Sequence, residues 1–256
     1  MALTLIEVQN LRVFRHVVLE PSHGLNVIFG PNGSGKTSLL EAVHILGMGR
    51  SFRTGAAAYP VRRGAVALTV RGCWCNETGE EVSVGVERGR EYRRIRVNGD
   101  SSERASTLAQ LLPLQAVLPD TRYLFLHSAR FRRGVLDWGL FHVEQQFYGL
   151  WAQYRRALRQ RNAALKAHDP VNTLRAWEQT LAQTGEQIDQ WRADYEARWY
   201  PCAAQYAVML LPGTRLQLRR HRCWPSGMSL AQALRGDRER DKLDGYTRAG
   251  IHRADL

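Results

Sequence analysis

Residues 29–42, FGPNGSGKTSLLEA, combine residue types and spacing that prescribe a chemistry. Gly30, Gly35, Lys36 and Thr37 fit the pattern G-x-x-x-x-G-K-[ST], directly after the apolar run GLNVIFG and directly before a helix-forming stretch. Glycines at 30, 33 and 35 let the backbone turn its N–H groups inward, and a helix N-terminus adds partial positive charge. Both features suit phosphate oxygens. The expected nucleotide-binding set is Gly30, Pro31, Asn32, Gly33, Ser34, Gly35, Lys36, Thr37 and Ser38. Lys36 would reach the β- and γ-phosphates of ATP, and the Thr37 hydroxyl is the expected ligand to Mg²⁺.

Binding a nucleotide and splitting it are different tasks. Hydrolysis needs a strand-terminal acid for the metal and a group that orients water. The downstream candidates are poor: Asp120 follows a proline in VLPD, Asp137 lies in a helical stretch in GVLDW, and the apolar run MLLPG carries no carboxylate. Residue types and spacing therefore support nucleotide binding and leave turnover unsupported.

The elements around the phosphate loop read as α/β. LTLIEVQ and LRVFRHVVLE alternate apolar and polar residues, and GLNVIFG predicts a buried strand feeding the loop. AVALTVRGCW, EEVSVGVER and YRRIRVNG predict consecutive antiparallel strands, with turns at residues 76–79 and 89–91. A helical region follows. Trp151, Leu158 and Leu165 recur every seven residues, with Arg155, Arg156, Arg159 and Arg161 expected on the remaining surface. After the breaker His168-Asp169-Pro170, Leu174, Trp177, Leu181, Ile188, Trp191, Tyr195 and Trp199 keep three- and four-residue steps. Two long helices joined by a short turn make an antiparallel hairpin, whose tryptophans read as a packed seam rather than a base-stacking platform. Past residue 213, RLQLRRHRCW predicts a strand and SLAQALRGDRERDKL a helix. The expected division is 1–130 for the phosphate-loop lobe, 131–212 for the helical lobe, and 213–256 for a return to the first lobe.

The chain has 256 residues and a formal charge of +12, which favours a polyanionic partner such as nucleic acid. Nearly all of that charge is arginine, a bias that genome base composition also produces. No apolar run is long enough for a membrane span and the N-terminus lacks signal-peptide order, so the expectation is a cytoplasmic protein with no membrane association. Cys73, Cys75, Cys202 and Cys223 lack zinc-site spacing.

Three stretches carry a family resemblance: residues 11–54 from LRVFRHVVLE to GRSFRT, RRGVLDWGLFHVEQQFYGLWAQYRRALRQRNAAL, and the terminal GIHRADL. Together they resemble RecF, the bacterial recombinational repair ATPases related to SMC heads. Pro119-Asp120 matches the family pattern, whereas His127, Ser128 and Ala129 stand where glycine and proline are common, and Ile251 stands where proline is usual. The resemblance implies an ABC/SMC-type ATPase head with antiparallel strands plus a helical lobe. It also implies that the chain corresponds to the N-terminal part, ahead of the signature motif and the catalytic acids. It further implies ATP and Mg²⁺ as cofactors, an ATP-dependent homodimer, and DNA, both single-stranded gaps and duplex, as partner. RecO and RecR would act with it in RecA loading, replication and the SOS response. Arg50, Arg53, Arg132, Arg133, Arg155 and Arg159 are then the candidate DNA contacts. Two other functions stay open on the residues alone: a nucleotide-independent DNA-binding scaffold and a phosphate-loop small-molecule kinase.

Overall fold

The computed structural model describes residues 2–53, 59–75, 79–102 and 104–256. The chain forms two compact units, Met1–Val117 and Leu118–Leu256. The expected turn at 76–79 and Thr54 of GRSFRT fall largely or wholly outside the described residues.

In the first unit six strands make one antiparallel sheet. They are β1 (Ala2–Leu11), β2 (Phe14–Leu19), β3 (Leu68–Cys75), β4 (Glu81–Arg88), β5 (Arg93–Val97) and β6 (Asp100–Ser102), in the order β2-β1-β3-β4-β5-β6. Strict alternation sends Val70, Trp74, Val82, Val84, Val86 and Ile95 to one face, where they are buried. Helix α1 (Lys36–Met48) lays Ala42, Ile45 and Leu46 on that face, and the short α2 (Ala105–Leu111) adds Leu108. The approach of α1 explains a glycine: a Cβ at Gly72 would run into Leu46.

One expected strand does not form. Residues 25–30 form no strand, and Leu25, Val27 and Phe29 are 87%, 72% and 89% exposed. An apolar run becomes a buried strand only when a neighbour takes up its backbone hydrogen bonds, and none of the described residues does so.

The second unit is helical: α3 (Thr121–His127), α4 (Ala129–Val143), α5 (Phe147–Lys166), α6 (Val171–Leu210), α7 (Leu230–Gly236) and α8 (Arg238–Asp244). The expected hairpin is present as α5 and α6. His168 takes a positive φ of 55° between them, and Pro170 opens α6, where its missing N–H costs nothing. Trp151, Trp177, Trp191 and Tyr195 pack half-buried against a core of Phe147, Tyr154, Leu181 and Ile188, as a seam should. The unit starts before α3 rather than near residue 130, because α3 packs on α4. Residues 213–256 belong to it as well, since α7 packs on α6.

Three local expectations are corrected. RLQLRRHRCW forms no strand beyond a single bridge between His221 and Asp255, because no continuous partner lies beside it among the described residues. The expected helix after residue 229 is two short helices meeting at Asp237, the first opened by a Ser229–Gln232 capping box. Arg161 is not on the surface. It shares the buried α5 face with Tyr154, Ala157, Ala164 and Leu165, and its guanidinium donates to Asp241 Oδ2 at 2.7 Å, Thr247 Oγ1 at 2.8 Å and Glu178 Oε1 at 3.0 Å. Arg238 holds the other oxygen of Glu178 at 2.6 Å, so the buried carboxylates are paired and α5, α6 and α8 are tied together.

Candidate nucleotide-binding site

The loop at residues 30–35 is built by backbone geometry. Gly30, Gly33 and Gly35 have φ of 148°, 84° and 100°, a region that side chains with a Cβ rarely enter. Gly35 is fixed twice over, because a Cβ there would lie 2.6 Å from the Phe14 ring and 3.0 Å from Val13. The β1–β2 turn thus presses on the last residue of the loop. Pro31, Asn32, Gly33 and Ser34 are exposed, and the loop closes on itself through Ser34 N–H to Pro31 C=O at 3.3 Å.

Helix α1 begins at Lys36 with Gly35 as its N-cap and no side chain capping it. Leu39 N–H is the first to find an intrahelical acceptor, Gly35 C=O at 2.9 Å, so the N–H groups of Lys36, Thr37 and Ser38 point out of the helix end as donors. Lys36 folds back across the loop, its Nζ donating to the carbonyls of Gly30 and Pro31 at 2.8 Å each. The ammonium is thus held against the carbonyls of the loop. Thr37 is exposed at the same end and Ser38 is buried beneath it. This donor set fits a triphosphate and Mg²⁺: the free N–H groups at the start of α1, one ammonium and one accessible hydroxyl.

Behind the loop lies a cluster that sequence reasoning missed. Glu41, fully buried on α1, accepts from Arg12 Nε at 2.9 Å and Nη2 at 2.7 Å, and from Ser51 Oγ at 2.6 Å. Ser51 Oγ in turn accepts from Arg53 N–H at 2.9 Å, and Arg53 Nε lies 3.6 Å from Glu41. The β1–β2 turn, α1 and the 51–53 segment are thereby fixed to one carboxylate. The available signal was a lone acid on the apolar face of KTSLLEAVHIL. Nearby, His44 Nδ1 donates to Arg50 C=O at 2.7 Å, and burial holds its pKa below the usual histidine value.

The other candidate arginines are scattered. Arg50 is exposed, while Arg53 is half-buried beside Glu41. Arg132 spends its fork on Asp255 at 2.8 Å per bond and on the carbonyl of Leu126 at 3.0 Å, and Arg133 donates to Ala254 C=O at 2.6 Å. These two pin the GIHRADL segment to α4. Arg155 and Arg159 are exposed on α5, Arg155 with its guanidinium 4.8 Å from the Trp151 ring centroid. Asp137, weighed above as a metal-holding acid, faces Arg192 at 2.9 Å on both oxygens; burial, the larger effect, raises its pKa against that pairing.

Comparison with known proteins agrees with this geometry. A family model described as an AAA domain matches residues 5–110. The DNA replication and repair protein RecF of Vibrio vulnificus (strain YJ016) is 36% identical over 257 aligned residues, covering 100% of this chain and 72% of that protein. RecF of Chromohalobacter salexigens is 40% identical over 250 residues, 96% of this chain and 68% of the relative. A solved structure of the recombination mediator protein RecF with ATP, from the RecFOR pathway, matches the fold with a TM-score of 0.86 at 24% identity, over 99% of this chain and 71% of that one. A phosphate loop on an antiparallel α/β unit, a helical unit following it in sequence, and relatives of this identity along the whole chain lead to one assignment: the chain belongs to the RecF family of DNA replication and repair proteins.

Proposed function

We propose that this chain binds ATP with Mg²⁺ through residues 30–38 and binds DNA as part of recombinational repair and replication. Lys36 holds the β- and γ-phosphates, the N–H groups of the loop and of the first turn of α1 take the remaining oxygens, and Thr37 holds the metal. The bound metal supplies charge neutralisation at the phosphates; everything else the chain does there is positioning. RecO and RecR act with it to place RecA at single-stranded gaps in the cytoplasm, feeding the SOS response.

The observation that carries the proposal is the loop itself: three positive-φ glycines, an uncapped helix start, and Lys36 folded over both. Support comes also from the solved RecF neighbours, which are described with ATP or an ATP analogue in the RecFOR pathway. The formal charge of +12 supports a nucleic-acid partner.

Anisotropy of a labelled oligonucleotide, titrated with the chain over a salt series, tests the DNA half. Binding that weakens steeply with salt and depends little on sequence is expected, because each neutralised phosphate releases counterions. Absence of binding at low salt would reduce the charge to compositional bias.

A further inference from the structure

The sheet has a second face, opposite α1, and its side chains are ordered by register. One row across the strands runs Glu7, Arg71, Gly85, Arg96, and the next runs Gln9, Thr69, Glu87, Arg94. All but Gln9 line, with Ser83 and Cys73, an open cleft of about 500 Å³.

Gly85 is the unexpected member of the first row. It sits mid-strand between Val84 and Val86, where a glycine weakens the strand and commonly marks a close approach by another group. Nothing within the chain demands it. Its φ is not positive, and a Cβ there would meet only Arg71 Cγ, at an ordinary 3.8 Å. The glycine therefore keeps an open floor between two arginines that stand opposite it on either side, about 10 Å apart across two strand spacings.

Those arginines retain donors. Arg71 approaches Glu7 only to 3.7 Å, beyond hydrogen-bond range, and its side chain is 66% exposed. Arg96 is exposed and forms no ion pair among the described residues. The two carboxylates of these rows divide their oxygens: Glu7 Oε1 accepts from Gln9 at 2.8 Å and pairs with His16 at 3.1 Å while its Oε2 faces Arg71, and Glu87 Oε1 accepts from the Tyr92 hydroxyl at 2.7 Å while its Oε2 faces Arg94. Arg94, 3.7 Å from Glu87, extends the row toward the β4–β5 turn, where Arg90 is also exposed. The result is a face with three arginines against two carboxylates, Arg96 without an ion pair among the described residues, over a small, polar floor.

We infer that this outer sheet face is a nucleic-acid backbone contact, with one phosphate seated over Gly85 between Arg71 and Arg96. Guanidinium forks match phosphate oxygens, and a shallow, open track suits a chain of phosphates better than a single small anion. The inference rests on the DNA binding proposed above and gives it a location.

Oligonucleotide anisotropy on the whole chain decides it, with three variants. Arg71→Ala/Arg96→Ala should lower affinity about tenfold or more at low salt and reduce the slope of log affinity against log salt by about two. Gly85→Val changes no charge, has room, and suits a strand, so it should fold at least as well as the parent yet bind several-fold more weakly. Arg175→Ala/Arg235→Ala removes equal charge from the helical unit and should change affinity less than about twofold. A chain that binds DNA while the sheet-face variants match the parent, or while both double variants lose equally, overturns the contact and leaves DNA binding standing. A chain that binds no oligonucleotide at all overturns both. Displacement of the oligonucleotide by inorganic phosphate, or stronger binding to polyglutamate, overturns the contact in favour of a small anion or an acidic protein.

Discussion

Arg12 forks Nε and Nη2 onto the two oxygens of Glu41, at 2.9 and 2.7 Å, and so ties the β1–β2 turn to α1 just behind the phosphate loop. The carboxylate is fully buried, which makes the pair costly to break from one side. Glu41→Ala removes the carboxylate that Arg12, Ser51 and Arg53 share, and should cost about 3–5 kcal/mol of stability in the first unit. Urea denaturation of parent and variant measures it. A loss below about 1 kcal/mol would mean the pair contributes little beyond geometry.

Gly35 offers a steric test of the same region. Gly35→Ala places a Cβ 2.6 Å from the Phe14 ring at a φ of 100°, so both stability and nucleotide affinity should fall. Adding Phe14→Ala removes the clash with the ring but neither the contact with Val13 nor the backbone strain, and a double-mutant cycle should recover part of the loss. Additive effects would show that the turn does not press on the loop.

On the helical unit, exposure separates arginines that look alike in sequence. Arg161→Ala strands the buried carboxylate of Asp241 and should cost about 3–5 kcal/mol, whereas Arg159→Ala, on the exposed side of the same helix, should stay within about 0.5 kcal/mol. Thermal unfolding of the two variants side by side checks the ordering. Equal effects would contradict it.

What the sequence revealed follows from range. The phosphate loop is local: strandless or not, its glycines, lysine and helix start lie within a few residues, and all appear where the spacing put them. Helix periodicity likewise predicted α5 and α6, and alternation predicted β3, β4 and β5. Glu41 and Arg161 were not legible, because a buried charge is justified only by partners 29 or 80 residues away. The run at residues 25–29 misled for the converse reason: apolar composition signals a strand that wants burial, and burial depends on a neighbour the run itself does not encode.

His252 makes stability sensitive to mild acid. Burial, opposed by its hydrogen bond to the Thr247 carbonyl and reinforced by Arg253 and Arg133, lowers its pKa to about 4. The unfolded histidine titrates near 6.5, so below that pH the unfolded state binds a proton that the folded state refuses. Stability is fully present above about pH 6.5 and falls as pH drops toward 4, by about 3 kcal/mol in all. His44 and His142, also held low by burial, act in the same direction. Denaturation midpoints at pH 7 and pH 5 for the parent and His252→Gln isolate the contribution: the variant should lose less on acidification. An equal loss would assign the sensitivity to the other two.

The most direct test of the account is the affinity of the whole chain for ATP, measured by calorimetry with and without Mg²⁺, for the parent and for Lys36→Ala. Lys36 lies over the loop carbonyls at 2.8 Å, and these hydrogen bonds stay within the exposed loop, so the variant should unfold close to the parent's temperature. The account predicts measurable ATP binding by the parent, strengthened by Mg²⁺, and loss of most of that affinity, tenfold or more or about 1.4 kcal/mol, in Lys36→Ala. A folded Lys36→Ala chain that binds ATP as the parent does would contradict the placement of the nucleotide at residues 30–38.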